Sequence, residues 1–373
     1  MDRKKATVAA AAVGALAGAV GLTVLAMPSG AGAAPVLPPV NPEQLVQSVL
    51  SQKEIPALGG TVEGKTNLGI PAIPNLPQEL SGMSAKVWSD GTGKSRVSTS
   101  KTGSEKIAVN DGTTAWSYDS STKVVTKHTY DKSKAPKERP SELNDPAAAA
   151  KQIIDVIRPN SSISVDGTAS VAGRDAYELV LAPAPTERTL LREVRIAVDA
   201  EKRIPLRVVV LANGSSDPVA QFGFTKLDIG AQDPKLFTFT PPAGAKVEDS
   251  TGKFKDFENS HREEFEKNRK PGETPKLPDN DLFKVIGEGW DTTVAGRLPK
   301  QDQLPKNDPK NDKAQGQNPM DLVKQFGTKV EGPWGKGYLI TTKVGTGLLT
   351  EDGRFAAGAV PSQVLIEAIG TVK

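Results

Sequence analysis

The spacing of apolar residues changes several times along the chain, and each change marks an element. Asn41-Pro42-Glu43-Gln44 opens a helix, with an Asn cap, Pro at the first helical position and Gln at the third. Leu45, Val46, Val49 and Leu50 then recur at helical spacing, and Ile55-Pro56 ends the run. From Leu58 the period becomes two. Short strands are predicted near 59–67, 84–90, 94–100, 105–110, 113–118 and 124–130. Asp90-Gly91, Asp111-Gly112 and Asp119-Ser120-Ser121 separate them as hairpin turns, so the strands form an antiparallel meander.

A second helix interrupts the meander. Asp145 caps it, Pro146 opens it, and Ile153, Ile154, Val156 and Ile157 form its apolar face before Arg158-Pro159-Asn160 stops it. Strands resume at 162–168, 174–182, 191–199, 204–212, 219–228 and 235–240. One-sided apolar sets recur along them: Tyr177, Leu179 and Leu181; Val194, Ile196 and Val198; Leu206, Val208 and Val210; Phe222 and Phe224; Phe237 and Phe239. Successive strands with one greasy face make a large sheet around one interior.

Beyond Pro241-Pro242-Ala243-Gly244 the pattern differs. In 251–270 eleven of twenty residues are charged, yet Phe254, Phe257, His261 and Phe265 share a helical stripe, so a solvated amphipathic helix is expected. Residues 271–281 read as linker, 283–297 contain a strand, and 299–318 lack the apolar content to order themselves. A short helix from Pro319, strands at 337–343 and 353–360, and a final helix from Pro361 to Ile369 close the chain. The division is therefore 1–33, 41–246, 247–281 and 282–373, the last a small α+β segment.

The N-terminus sets the compartment. Arg3, Lys4 and Lys5 precede 22 uncharged residues, Ala6 to Met27, and Ala31-Gly32-Ala33 offers a cleavage site. The run is long enough to span a bilayer, but nine of its residues are Ala and three Gly. Cleaved signal and N-terminal anchor both remain open, and either exports the rest of the chain.

Composition then removes several functions. The 373 residues carry 47 Lys+Arg and 44 Asp+Glu, too even a balance for a nucleic-acid partner. Cysteine is absent, which excludes disulfides, thiol nucleophiles and Cys-bound metals. The two histidines, His128 and His261, stand next to no G-x-S-x-G or H-E-x-x-H pattern. No catalytic residue, metal site or cofactor is expected.

The order of helix, meander, capped helix and further meander resembles the periplasmic lipoprotein carrier family (LolA-like), whose fold also forms the sensor half of MucB/RseB-type sigma-factor regulators. The phrases that carry the resemblance are Asp90-Gly91 with Arg96-Val97, Val109-Asn110-Asp111-Gly112 running to Trp116-Ser117-Tyr118, and Ala172-Gly173-Arg174-Asp175-Ala176-Tyr177. Val198-Asp199, Ile204-Pro205-Leu206-Arg207-Val208 and Phe237-Thr238-Phe239-Thr240-Pro241-Pro242 follow, so the likeness covers roughly 41–246. It implies an α+β fold: an unclosed antiparallel β-barrel, a half-pipe lidded by helices, with an apolar cavity for acyl chains of lipids or lipoproteins. It also implies that Arg96 latches the lid. The extra 247–373 departs from the plain carrier pattern and suits a two-part regulator.

Two functions follow as expectations. One is an acyl-chain carrier, with Trp88 or its neighbour Val87, and Val97, Trp116, Tyr177, Leu179, Ile196, Val208, Phe222, Phe224 and Phe237 lining the cavity. The other is an extracytoplasmic sensor module that binds a membrane partner such as an anti-sigma factor or an ABC exporter. The Phe254, Phe257 and Phe265 edge is a further candidate, for the cavity mouth.

Overall fold

The computed structural model describes residues 34–52, 55–69, 82–101, 103–129, 150–151, 153–154, 157–250, 283–298 and 319–372. The export segment, the charged stripe of 251–270, the linker 271–281 and the segment 299–318 lie outside them.

Two sheets organise the described chain. The first has twelve strands: β1 (Leu58–Thr66), β2 (Met83–Ser89), β3 (Ser95–Lys101), β4 (Ser104–Asn110), β5 (Thr114–Asp119), β6 (Val124–Thr129), β7 (Ser161–Val171), β8 (Arg174–Pro183), β9 (Leu191–Asp199), β10 (Pro205–Ala212), β11 (Pro218–Ile229) and β12 (Lys246–Asp249). Their order is β12-β6-β5-β4-β3-β2-β1-β11-β10-β9-β8-β7. Two meanders thus join where β1 pairs with β11. The two outer strands, β12 and β7, do not meet, so the sheet is an unclosed half-barrel. All pairs are antiparallel except β12 with β6.

Helix α1 (Pro42–Leu50) starts as the sequence dictates: the Asn41 side chain accepts from the Gln44 amide at 3.1 Å. Its Leu45, Val46 and Val49 are fully buried against Leu179, Leu181, Ile196 and Val198 of the sheet, together with Ala150, Ile154 and Ile157. This is the main core.

The region expected as a strand at 235–240 is instead a 3₁₀ turn over Pro234–Phe237. Asp233 caps that turn by accepting from the Lys235 amide, and Pro234 occupies its first position. Alternation of Phe237 and Phe239 mimics a strand, but the capping chemistry wins locally.

The second sheet has six strands: β13 (Phe283–Ile286), β14 (Thr293–Arg297), β15 (Thr328–Gly332), β16 (Gly335–Thr341), β17 (Thr346–Thr350) and β18 (Arg354–Gly358), ordered β13-β14-β18-β17-β16-β15. Helix α2 (Pro319–Phe326) precedes β15, and α3 (Ser362–Ile369) packs Val364, Leu365, Ala368 and Ile369 on Ala295, Leu348 and Ala356. The single strand expected in 283–297 is two strands around a 3₁₀ turn, Gly289–Asp291. No strand was expected at β15 or β17. Both are five residues long, too short for a period-two signal to stand out.

The two sheets are pinned together. Trp290, 3% exposed, enters the main core of the first sheet. Its indole Nε1 donates to Ser161 Oγ at 2.7 Å and its amide to Glu187 Oε2 at 2.9 Å. Gly289 has φ +65°, and a Cβ there would sit 2.6 Å from Asn160 Cβ, so only glycine lets the turn close in. Leu190 N and Thr189 Oγ1 both donate to the carbonyl of Ala359 at 2.8 Å, and Lys343 N donates to Leu68 O at 2.8 Å.

Candidate functional site: two faces of one sheet

Cross-strand pairing assigns each expected site residue to a face, because directly paired positions point the same way. One row runs Val165–Leu179–Ile196–Val208–Phe222–Gly64–Met83 across seven strands. A neighbouring row runs Phe224–Val62–Ala85–Thr99, and another Gly60–Val87–Val97–Ala108. This is the helix-side face, since Leu179 and Ile196 pack with α1. It holds six of the ten residues expected to line a cavity: Val97, Leu179, Ile196, Val208, Phe222 and Phe224. Tyr177, paired with Val198, is the seventh.

Trp88 and Trp116 do not join them. They belong to the row Gly59–Trp88–Arg96–Val109–Trp116–Lys127 on the opposite face. Val87 and Trp88 are adjacent, and a shift of one residue exchanges the faces. Sequence alone offers either as the inward position.

That second face is crossed by the chain leaving β11. Gln232 lies against Gly59 and Trp88, close enough that a Cβ on Gly59 would collide with it. Arg96 Nη1 donates to Leu236 O at 3.3 Å. Phe237 is buried at 3% exposure. The Phe239 ring lies 5.7 Å from Trp116 and 6.4 Å from Tyr118, tilted against both. Lys127 Nζ stands 5.6 Å from the Trp116 ring centroid. The chain then pairs with β6 as β12. Residues 230–249 thus form a strap, and Arg96 reaches it at Leu236, in the 3₁₀ turn Pro234–Phe237. Phe237 lies in the strap too, apart from the residues of the helix-side face.

The helix-side face has two regions. Around Leu179, Ile196 and Val208 it is filled by α1, Ala150, Ile154, Ile157 and Trp290. Around Val62, Ala85, Val87 and Phe224 it is buried by a different set that contains no α1 residue. There Met83, Val97 and Phe222 are only half-buried.

At the far end of this face the chain before α1 is held down. Tyr177 Oη donates to Pro38 O at 3.0 Å, and Thr168 Oγ1 donates to Pro35 O at 2.6 Å. The Arg203 guanidinium lies 5.2 Å from the Tyr177 ring centroid. Nearby, the fully buried Asp199 receives Arg174 and the amides of Glu201 and Lys202. Burial opposes its ionisation, but Arg174 and those amides outweigh it and hold the carboxyl below its ordinary range. The Arg174 guanidinium is raised, chiefly by its hydrogen bond to Asp199. Leu37, Gly173, Arg174, Asp175, Ala200 and Glu201 line a cavity of about 300 Å³ beside them.

Among the described residues no cluster of His, Asp and Glu has the geometry to hold a metal ion. No described helix is long and apolar enough to cross a membrane.

The fold and these faces define an antiparallel half-barrel, strapped on one side and helix-covered on the other, with a second α+β sheet docked to it. In structure the chain resembles MucB and LolA-superfamily proteins. It is similar to MucB of Pseudomonas aeruginosa, solved in complex with MucA, at 15% identity and TM-score 0.44, over 88% of this chain and 97% of that one. It is similar to a LolA superfamily protein of Nitrosomonas europaea at 12% identity and TM-score 0.23, over 54% of this chain and 99% of that one. A putative outer membrane lipoprotein-sorting protein domain from Vibrio parahaemolyticus matches at 12% identity and TM-score 0.21, over 52% of this chain and 97% of that one. No family model and no curated protein matches the chain.

Proposed function

We propose that the protein is an exported carrier that holds an acyl chain of a lipid or lipoprotein against the helix-side face of its half-barrel. One observation supports this above the others. The apolar rows continue past the part of the face that α1 fills, through Val62, Ala85, Val87 and Phe224, to the half-buried Met83, Val97 and Phe222. An acyl chain laid along that stretch gains about 0.8 kcal/mol per buried CH₂. Roughly eight methylenes would supply about 6 kcal/mol before ordering costs. The reading requires no catalytic group and no cofactor. The basic-then-apolar N-terminus supports export of the chain.

Native mass spectrometry of the protein purified from the cell envelope tests the reading. A co-purifying lipid of defined mass, or uptake of added lipid, is expected. A bare protein mass that stays unchanged on lipid titration overturns it.

The second reading is a sensor module for a membrane partner, an anti-sigma factor or an ABC exporter. The Trp290 anchor favours it, because a change at the helix-side core would be felt directly by the second sheet. Affinity capture from solubilised membranes, with recovery of one such partner lost in a Trp290 variant, tests this version.

A further inference from the structure

We infer that Arg203, set over Tyr177, is a subsite for an anionic oxygen group, specifically the phosphate of a lipid headgroup. The inference rests on the acyl-chain reading for where the lipid tail runs, since Ile204 and Leu206, which follow Arg203 in the chain, are buried in the same cluster as Val62, Val87 and Phe224.

The backbone gives the first reason. Arg203 closes the turn between β9 and β10 with φ +59°, a left-handed conformation that L-residues other than Asn and Asp seldom adopt. Its amide donates to Asp199 O at 3.1 Å, a bond that glycine would make without steric cost. The arginine side chain is therefore carried at a position where it costs stability.

The side chain gives the second reason. The guanidinium lies over the Tyr177 ring, 5.2 Å from its centroid. Its Nη1 is buried and has no hydrogen-bond partner. A dry guanidinium N–H left unpaired is unfavourable, and an anionic phosphate oxygen is the acceptor that satisfies such a charged donor best.

The neighbouring charges give the third. Arg174 is already committed to Asp199 and Glu201, and Asp199 is closed off by Arg174 and two amides. Glu201 is engaged by Arg174 and Lys202. Tyr177 Oη is spent on Pro38 O. Within this group Arg203 is the cation with a spare donor.

The test compares two ligands with the same tails, dioctanoyl phosphatidylglycerol and dioctanoylglycerol, and adds inorganic phosphate. Wild-type protein is expected to bind the phospholipid at least tenfold more tightly than the neutral lipid. Arg203→Met should collapse that ratio towards one, and Arg203→Lys should keep part of it. In parallel, the Tyr177 ring resonance, assigned with Tyr177→Phe, should move on adding inorganic phosphate but not chloride, and should stay still in Arg203→Met. Thermal melting checks that each variant is folded; if Arg203→Met is not, Arg203→Gln replaces it. A wild-type ratio near one, or a ratio kept in the folded variant, overturns the subsite while leaving acyl binding intact. If neither lipid binds but phosphate moves Tyr177 through Arg203, the acyl reading falls and the subsite stands. If phosphate moves nothing and no lipid binds, both fall.

Discussion

Arg96 Nη1 reaches the carbonyl oxygen of Leu236 at 3.3 Å, joining positions 140 residues apart in sequence. A strand in the first meander thereby holds the chain that leaves the second. Arg96→Ala should loosen residues 231–240, and hydrogen exchange should read faster exchange there than in β8 or β9. The stability loss should be about 1.5 to 3 kcal/mol by denaturant titration, the range of one hydrogen bond to a charged donor. Unchanged protection of the strap would show that Phe237 and Phe239 hold it unaided.

The two faces should respond differently to truncation. Phe222→Ala, at the half-buried rim of the helix-side face, is expected to weaken lipid uptake severalfold. Trp116→Ala, under Phe239 and Lys127, is expected to lower stability by about 3 kcal/mol with lipid uptake retained in the folded fraction. Titration of one lipid into both variants separates the cases. Equal loss of uptake in both would mean that the faces do not differ in function.

Trp290 is the joint between the sheets. Trp290→Ala leaves a void in the main core and removes the indole N–H that donates to Ser161 Oγ, so a loss of about 3 to 5 kcal/mol is expected. Ser161→Ala removes two hydrogen bonds, the one accepted from Trp290 Nε1 and the one donated to Ile157 O, and should cost about 1 to 3 kcal/mol. Calorimetry should show one transition in the wild type and two in Trp290→Ala.

Asp199 makes stability depend on acid. Its carboxyl is held below the unfolded value of about 3.9, so the folded state binds fewer protons than the unfolded state in that range. The stabilisation is complete above about pH 5 and is lost as pH falls through the folded-state value. Asp199→Asn should lower stability at pH 7 by about 3 kcal/mol, because Arg174 is left without its buried partner. The variant should also lose much of the stability slope below about pH 4. Urea melts from pH 3 to pH 7 would measure both.

Much of the fold is readable in the chain. Asn41-Pro42 places the start of α1 to the residue, and the Asp-Gly and Asp-Ser turns place β2 to β6 within about a residue of their ends. These features are local: a cap, a turn and an alternation each arise from neighbours a few positions apart. The site was legible only in part. Ile196 and Phe222 follow from alternation, since the polar Arg195 and Gln221 precede them, whereas Leu179 and Val208 each have an apolar neighbour of the opposite parity, Val180 and Val209. Trp88 does not follow from it either, because Val87 beside it is equally apolar. Trp290 carried no signal of its role: one Trp in a Gly-rich turn has no period to read.

The sequence by itself therefore determined where α1 and the strands of the first meander begin, that one strand face is apolar, and that an uncharged run precedes the folded part. The tertiary structure decided which of two adjacent apolar residues points to the helices, what Arg96 holds, and where Trp290 inserts. The physical reason is range. Caps and turns are settled within a few residues, whereas the choice of face depends on the register between strands and on what the strap and the second sheet, 100 or more residues away in the chain, lay against each side.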